Sequence, residues 1–202
     1  MPYCPICATL GYVLSPDRER VLLIHRNARP EDDALGKYNG LGGKMEPSED
    51  IATCMKRELM EEAGLTVQAV ELRGTVSWPG FGKNGEDWLG FLFLITDWSG
   101  EIPSSNAEGS LEWHPVRDLL EGKLPTWEGD RYFLPLVFDG DSRPFHGVMP
   151  YSGGIQFRLF YPDCWNSYEA CDIFRDSADW VCLEHTYEKA LDRYVGRGRC
   201  RR

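Results

Sequence analysis

The segment GKMEPSEDIATCMKRELMEEAGL, residues 43–65, carries six carboxylates: Glu46, Glu49, Asp50, Glu58, Glu61 and Glu62. Like charges this close repel, so the segment is either a solvated surface or a place where cations collect. Its apolar residues set the local structure. Ile51, Met55 and Leu59 recur every four residues, which predicts an amphipathic helix that buries that stripe. Ser48 is the expected N-cap, Glu49 and Asp50 suit a helix N-terminus, and Gly64 is the expected stop. On this helix Glu58, Glu61 and Glu62 adjoin on one face, because they stand three and four residues apart. Arg57, four residues before Glu61, is placed to brace it. Oxygen ligands without His or Cys favour Mg²⁺ or Mn²⁺ over zinc. Mg²⁺ is usually held by a few carboxylates plus substrate phosphates, so a phosphate ester or anhydride is the natural substrate. By spacing alone, a solvated acidic face with salt bridges accounts for the same residues.

The flanking sequence reads as strands. CATLGYVL and RVLLIHR are apolar runs joined by the turn SPDRE, a hairpin. TVQAVELRGTVSW, DWLGFLFLITDW and SLEWHPV read as further strands, and VRDLLEGK as a short helix. DRYFLPLVF reads as a helix that Pro135 breaks or kinks. FHGVMPYSG and IQFRLFY read as a last hairpin. After about residue 163 the pattern turns helix-like and aromatic. Mixed strands interrupted by helices predict an α/β or α+β sandwich. The expected division is a domain over 1–162 and a helical extension with a basic tail over 163–202.

With 202 residues, 42% of them hydrophobic, the chain can bury a core and is not globally disordered. No apolar run is long enough to cross a membrane, and no basic n-region marks a secretory signal, so the expected location is the cytoplasm. A net charge of −10 disfavours nucleic-acid polymers as partners. The tail RYVGRGRCRR is either a solvated end or a weak anion-binding arm. Cys4 and Cys7 form a CxxC without a second pair at zinc spacing, and read as structural thiols. The four histidines show no metal spacing.

The acidic segment then fits a longer pattern. Gly43, five residues, Glu49, seven residues, then RELMEEAGL satisfies G-x5-E-x7-R-E-U-x-E-E-x-G-U, where U is bulky and aliphatic. This resembles the Nudix box. The resemblance implies a Nudix α/β/α sandwich with a mixed central sheet and metal-dependent hydrolysis of a nucleoside diphosphate linked to another moiety. It implies that Glu58 and Glu62 are the main metal ligands, with Glu61 bridging or supporting them. Arg57 would orient the glutamates, Glu49 would sit near the site, and Gly42 would offer a carbonyl to the metal. Gly43 would let the loop turn tightly. Mg²⁺ is the expected cofactor, with Mn²⁺ able to replace it.

A looser resemblance, over roughly residues 6–161, is to MutT-like 8-oxo-dGTP diphosphatases and oxidized purine nucleoside triphosphate hydrolases. It rests on GKYNGLGGKM, TWEGDRYFLPLVF and FHGVMPYSGG. It implies that Asn39 hydrogen-bonds a purine, that Trp127 stacks on it, and that Glu108 reaches the metal cluster. The family often has two adjacent Asp after this Trp; here the pair is Gly129 and Asp130. Each residue also has a plainer reading: Asn39 an Asx turn, Trp127 a core ring, Asp130 a helix cap, Glu108 a turn carboxylate. Lys44 either neutralises phosphate oxygens or is a solvated loop lysine, and Thr9 lines the base pocket or is an ordinary strand residue. The Gly-rich insertion WPGFGKNGEDWLG departs from the family and is expected as a flap beside the pocket. The extension matches nothing in the family; it could pack on the sheet, cover the pocket or mediate an oligomer.

The leading expectation is a pyrophosphohydrolase of oxidized purine triphosphates that cleanses the nucleotide pool. The alternatives are a Nudix hydrolase of ADP-ribose, a nucleotide sugar, a dinucleoside polyphosphate or coenzyme A, and a module that senses a nucleotide without cleaving it.

Overall fold

The computed structural model describes residues 2–151 and the backbone of two short strands beyond them. In chain order the elements are β1 (Ile6–Leu14), β2 (Arg20–His25), β3 (Tyr38–Asn39), α1 (Ile51–Ala63), β4 (Thr66–Trp78), β5 (Trp88–Ser99) and β6 (Ser110–Pro115). Then follow α2 (Val116–Leu120), α3 (Asp130–Phe138), β7 (Phe145–Val148), β8 (Phe157–Phe160) and β9 (Cys171–Ile173). The strands form one mixed sheet in the order β3-β2-β1-β5-β4-β7-β8-β9, with β6 also pairing β2. The β1/β5 and β4/β7 pairs are parallel and the others antiparallel.

Two-residue alternation divides the core between the faces of this sheet. Tyr12, Leu14, Val21, Leu23, Leu92 and Leu94 face one way and pack under α2 and α3. Val13, Leu22, Ile24, Phe93 and Ile95 face the other way and pack under Met55, Leu59 and Ala63 of α1. The expected α/β/α sandwich is therefore observed, and so is the buried stripe of α1. Ile51 is only partly buried at its start.

Three local expectations are corrected. The N-cap of α1 is Asp50, whose carboxylate accepts hydrogen bonds from the Ala52 and Thr53 amides at 2.8 and 3.0 Å. Ser48 lies at φ +69, outside the extended region a cap needs, and Glu49 and Asp50 precede the helix. Pro135 does not break α3, which runs through it. Phe133, Leu134, Leu136 and Val137 are buried on either side, so packing outweighs the lost backbone bond. Finally, Cys171–Ile173, in the stretch expected to be helical, form a strand antiparallel to β8. The 162/163 boundary and the rest of the extension, its basic tail included, lie outside the described residues. Gly64 does stop α1 in the left-handed conformation, at φ +66. No helix among the described residues is long and apolar enough to cross a membrane.

The site is positioned by a fork in the sheet. β1 pairs with β2 only at Val13 and Leu14. Its first half is bridged instead by the Gly-rich loop after β3, through Ala8–Lys44 and Gly11–Leu41. That loop runs between β1 and the acidic end of α1.

Candidate active site

Arg57 organises the acid row of α1. Its Nε and Nη2 reach Glu49 at 2.8 and 3.0 Å, and its Nη1 reaches Glu58 at 2.8 Å and Glu61 at 3.0 Å. One guanidinium thus serves three carboxylates, which raises its own pKa, chiefly through the Glu49 hydrogen bonds. The same bonds hold Glu49 down at about 2. Glu62 lies apart from Arg57. Its carboxylate accepts a hydrogen bond from the Gly42 amide at 2.8 Å. Burial pushes its pKa up to about 8, and the charges of Glu108 and Glu58 add to the rise. Burial likewise raises Glu58.

Gly42 and Gly43 divide the work of the loop. Gly42, at φ +144, runs so close to β1 that a Cβ would stand 2.2 Å from the Thr9 carbonyl oxygen. Gly43 has no positive φ, so the tight turn expected of it belongs to Gly42. Its missing Cβ makes room for the Glu58 carboxylate, which a Cβ would meet at 2.5 Å. Glu108, after β5, is held by Arg26 and by Arg29. Asn106 ties this loop to α1 by donating to the Glu62 carbonyl oxygen at 3.2 Å. Among the described residues no three acidic side chains converge closely enough to hold an ion as they stand. The donor set nonetheless fits a hard divalent cation: it is all oxygen, partly buried, and cradled where Gly43 leaves space.

Beside the acid row is a cavity of about 140 Å³ whose wall includes Asn39, Gly42, Gly43, Phe81, Trp127 and Asp130. Pockets that enclose a whole small ligand are typically ~300–1,000 Å³, so this one suits a single flat ring system. Thr9 also lines it, and its hydroxyl lies 3.4 Å from Cys54 Sγ. Asp130 is the first residue of α3 and is 8% exposed. Its carboxylate accepts from the Trp127 amide at 3.2 Å, and burial pushes its pKa up to about 7. Trp78 at the end of β4, Phe81 in the insertion and Trp88 at the start of β5 also line the wall. Phe81 is its hub, edge-on to Trp127 at 5.4 Å and to Tyr151 at 4.9 Å. Lys44 Nζ lies over the Trp88 ring at 5.2 Å, and Trp88 Nε1 is buried without a hydrogen-bond partner.

The site residues foreseen from sequence thus fall into two adjoining groups. Glu49, Arg57, Glu58, Glu61, Glu62 and Glu108 gather around the end of α1, while Thr9, Asn39, Trp127 and Asp130 share the cavity wall. Tyr151, in the segment FHGVMPYSGG but not singled out from sequence, also lines the cavity.

The NUDIX domain model matches residues 7–137. The chain belongs to the Nudix family. It is 31% identical over 144 residues to the uncharacterized Nudix hydrolase YvcI of Bacillus subtilis strain 168, covering 69% of this chain and 84% of that one. It is 29% identical over 145 residues to the oxidized purine nucleoside triphosphate hydrolase of Danio rerio, covering 72% and 86%. Among solved structures, the mutator MutT protein of Bacillus halodurans superposes with a TM-score of 0.63 at 31% identity, covering 76% of this chain and 97% of that one. This Nudix protein is a hydrolase, and its acid row is the family's box.

Proposed function

We propose that the protein is a divalent-metal-dependent nucleoside triphosphate pyrophosphohydrolase. Its substrates would be oxidized purine nucleoside triphosphates such as 8-oxo-dGTP, converted to monophosphate and pyrophosphate, which would cleanse the nucleotide pool. One observation carries this reading: Gly42 and Gly43 line the aromatic cavity and also bed the Glu62 and Glu58 carboxylates. A nucleotide with its base among the rings would therefore lay its phosphates toward the acid row. The Danio rerio relative, named for this activity, supports the choice of substrate.

Glu58, Glu61, Glu62 and Glu108, with the Gly42 carbonyl, would hold Mg²⁺ or Mn²⁺. The bound ion would polarise the phosphoryl oxygens and lower the pKa of its water. Arg57 would keep Glu58 and Glu61 oriented, and Glu49 would fix Arg57. Trp127 would stack on the base, a contact worth about 1–3 kcal/mol in comparable sites. Asn39 and Asp130 would hydrogen-bond its edge, Thr9 would line the pocket floor, and Lys44 would offset phosphate charge at the mouth.

A substrate panel tests this. 8-oxo-dGTP, dGTP, ADP-ribose, a nucleotide sugar, a dinucleoside polyphosphate and coenzyme A are compared by kcat/KM, with products identified. The expected outcome is preference for the oxidized triphosphate with release of pyrophosphate. Far faster cleavage of ADP-ribose would overturn it.

A further inference from the structure

The Trp127 ring carries a cation. Lys37 Nζ lies 4.5 Å from its centroid. Trp127 lines the cavity and Lys37 does not, so the ammonium contacts the ring without forming part of the wall. The backbone fixes this arrangement. The Lys37 amide donates to the Ala34 carbonyl at 2.9 Å, and its carbonyl accepts from Arg26 at 2.9 Å. The next amide, of Tyr38, donates to the Pro125 carbonyl at 2.7 Å, which straps the Lys37 loop to the segment bearing Trp127.

We propose that Lys37 is a positioning residue for base recognition: its ammonium holds the Trp127 ring and sets the charge balance at Asp130. This rests on the reading of the cavity as a purine pocket. Among the described residues Asp130 supplies the only carboxyl of the wall. Ionised, it can only accept hydrogen bonds; protonated, it also donates one. Whatever fixes its proton therefore selects the base edge it can read.

The groups that face Asp130 are few. Burial favours its neutral form, and the Trp127 amide and the charge of Lys37 oppose burial. Tyr12 of β1 and Tyr151 after β7 face it as neutral phenols, because burial, and then Asp130 itself, raises both. The charge of Glu128 adds to the rise of Tyr151. Lys37 is thus the one cation among these groups, and removing it moves Asp130 toward the protonated form at a given pH.

The test is calorimetric titration of 8-oxo-deoxyguanosine, which carries no phosphate to titrate or to meet the acid row, into the full chain without metal, between about pH 5 and 9, a range that spans the Asp130 transition. Wild type is compared with Lys37→Met, Lys37→Arg and Asp130→Asn, each checked for native circular dichroism. Met keeps the aliphatic stem and removes the charge. The expected wild-type affinity changes with a midpoint near 7. Lys37→Met is expected to move that midpoint upward and to weaken binding about 2- to 5-fold, the scale of a lost cation–π contact. Lys37→Arg should restore the midpoint, and Asp130→Asn should remove the transition near 7. An unmoved midpoint in Lys37→Met, or a transition near 7 that survives Asp130→Asn, overturns the proposal. Failure of wild type to bind 8-oxo-deoxyguanosine is a separate outcome, which overturns the purine reading beneath it.

Discussion

Glu62 is a carboxylate whose surroundings favour its neutral form, next to Glu58, which burial also raises. Glu58 shares Arg57 with two other glutamates and Glu62 lies outside its reach, so the pair is poised for a ligand that brings positive charge. Glu58→Gln and Glu62→Gln should each lower kcat by at least about a hundredfold, the order lost when one charge-stabilising group is removed. The fold should survive, because the new amide oxygen can still accept from the Gly42 amide in Glu62→Gln and from Arg57 in Glu58→Gln. Turnover and melting temperature measured side by side check this, and unchanged turnover in both variants would remove the acid row from catalysis. These residues were legible because three- and four-residue spacing decides which helical side chains adjoin. The cap was not: Ser48, Glu49 and Asp50 crowd the same corner, and only the backbone torsions of that turn select Asp50.

The loop from Asn39 to Lys44 joins two elements that make different demands on adjacent glycines. Gly42 lacks room against backbone, since the Thr9 carbonyl cannot move without disturbing β1, and its φ of +144° suits no other residue. Gly43 lacks room only against the tip of a flexible side chain, Glu58. Gly42→Ala should therefore cost stability, about 1–3 kcal/mol or more by denaturant unfolding. Gly43→Ala should leave the unfolding midpoint nearly unchanged while turnover falls, because Glu58 is pushed from its place. Loss of stability in Gly43→Ala with normal turnover would reverse these roles. The sequence pattern marked both glycines but could not divide their work, which depends on how closely the loop passes β1. The cavity was legible only in pieces for the same reason. Phe81, Trp127 and Tyr151 come from three separate connections, and a pocket assembled by long-range packing leaves no periodic signal in any of them.

At the scale of the whole molecule, α1 covers one face of the sheet and α3 the other. The fork beside β1 lets the loop bring the acid row and the aromatic cavity together. Apolar strand-like runs interrupted by helices made a sandwich readable, whereas the fork, which breaks the β1/β2 ladder after two pairs, was not. The protein carries a net charge of −10, and at the site one arginine is shared by three glutamates, with Glu62 outside its reach. Divalent cations should therefore stabilise the folded state, since they bind the assembled row and not the dispersed carboxylates of the unfolded chain. At a hundred times the dissociation constant this linkage is worth about 2.7 kcal/mol. In a chain of this size that raises the melting temperature by roughly 5–10 °C. Scanning calorimetry with Mg²⁺ and Mn²⁺ should show that rise in wild type and its loss in the Glu58→Gln, Glu62→Gln double variant. Non-specific screening of surface charge would raise both proteins alike. A rise of equal size in the double variant would thus place the ions elsewhere on the surface and detach the acid row from metal binding.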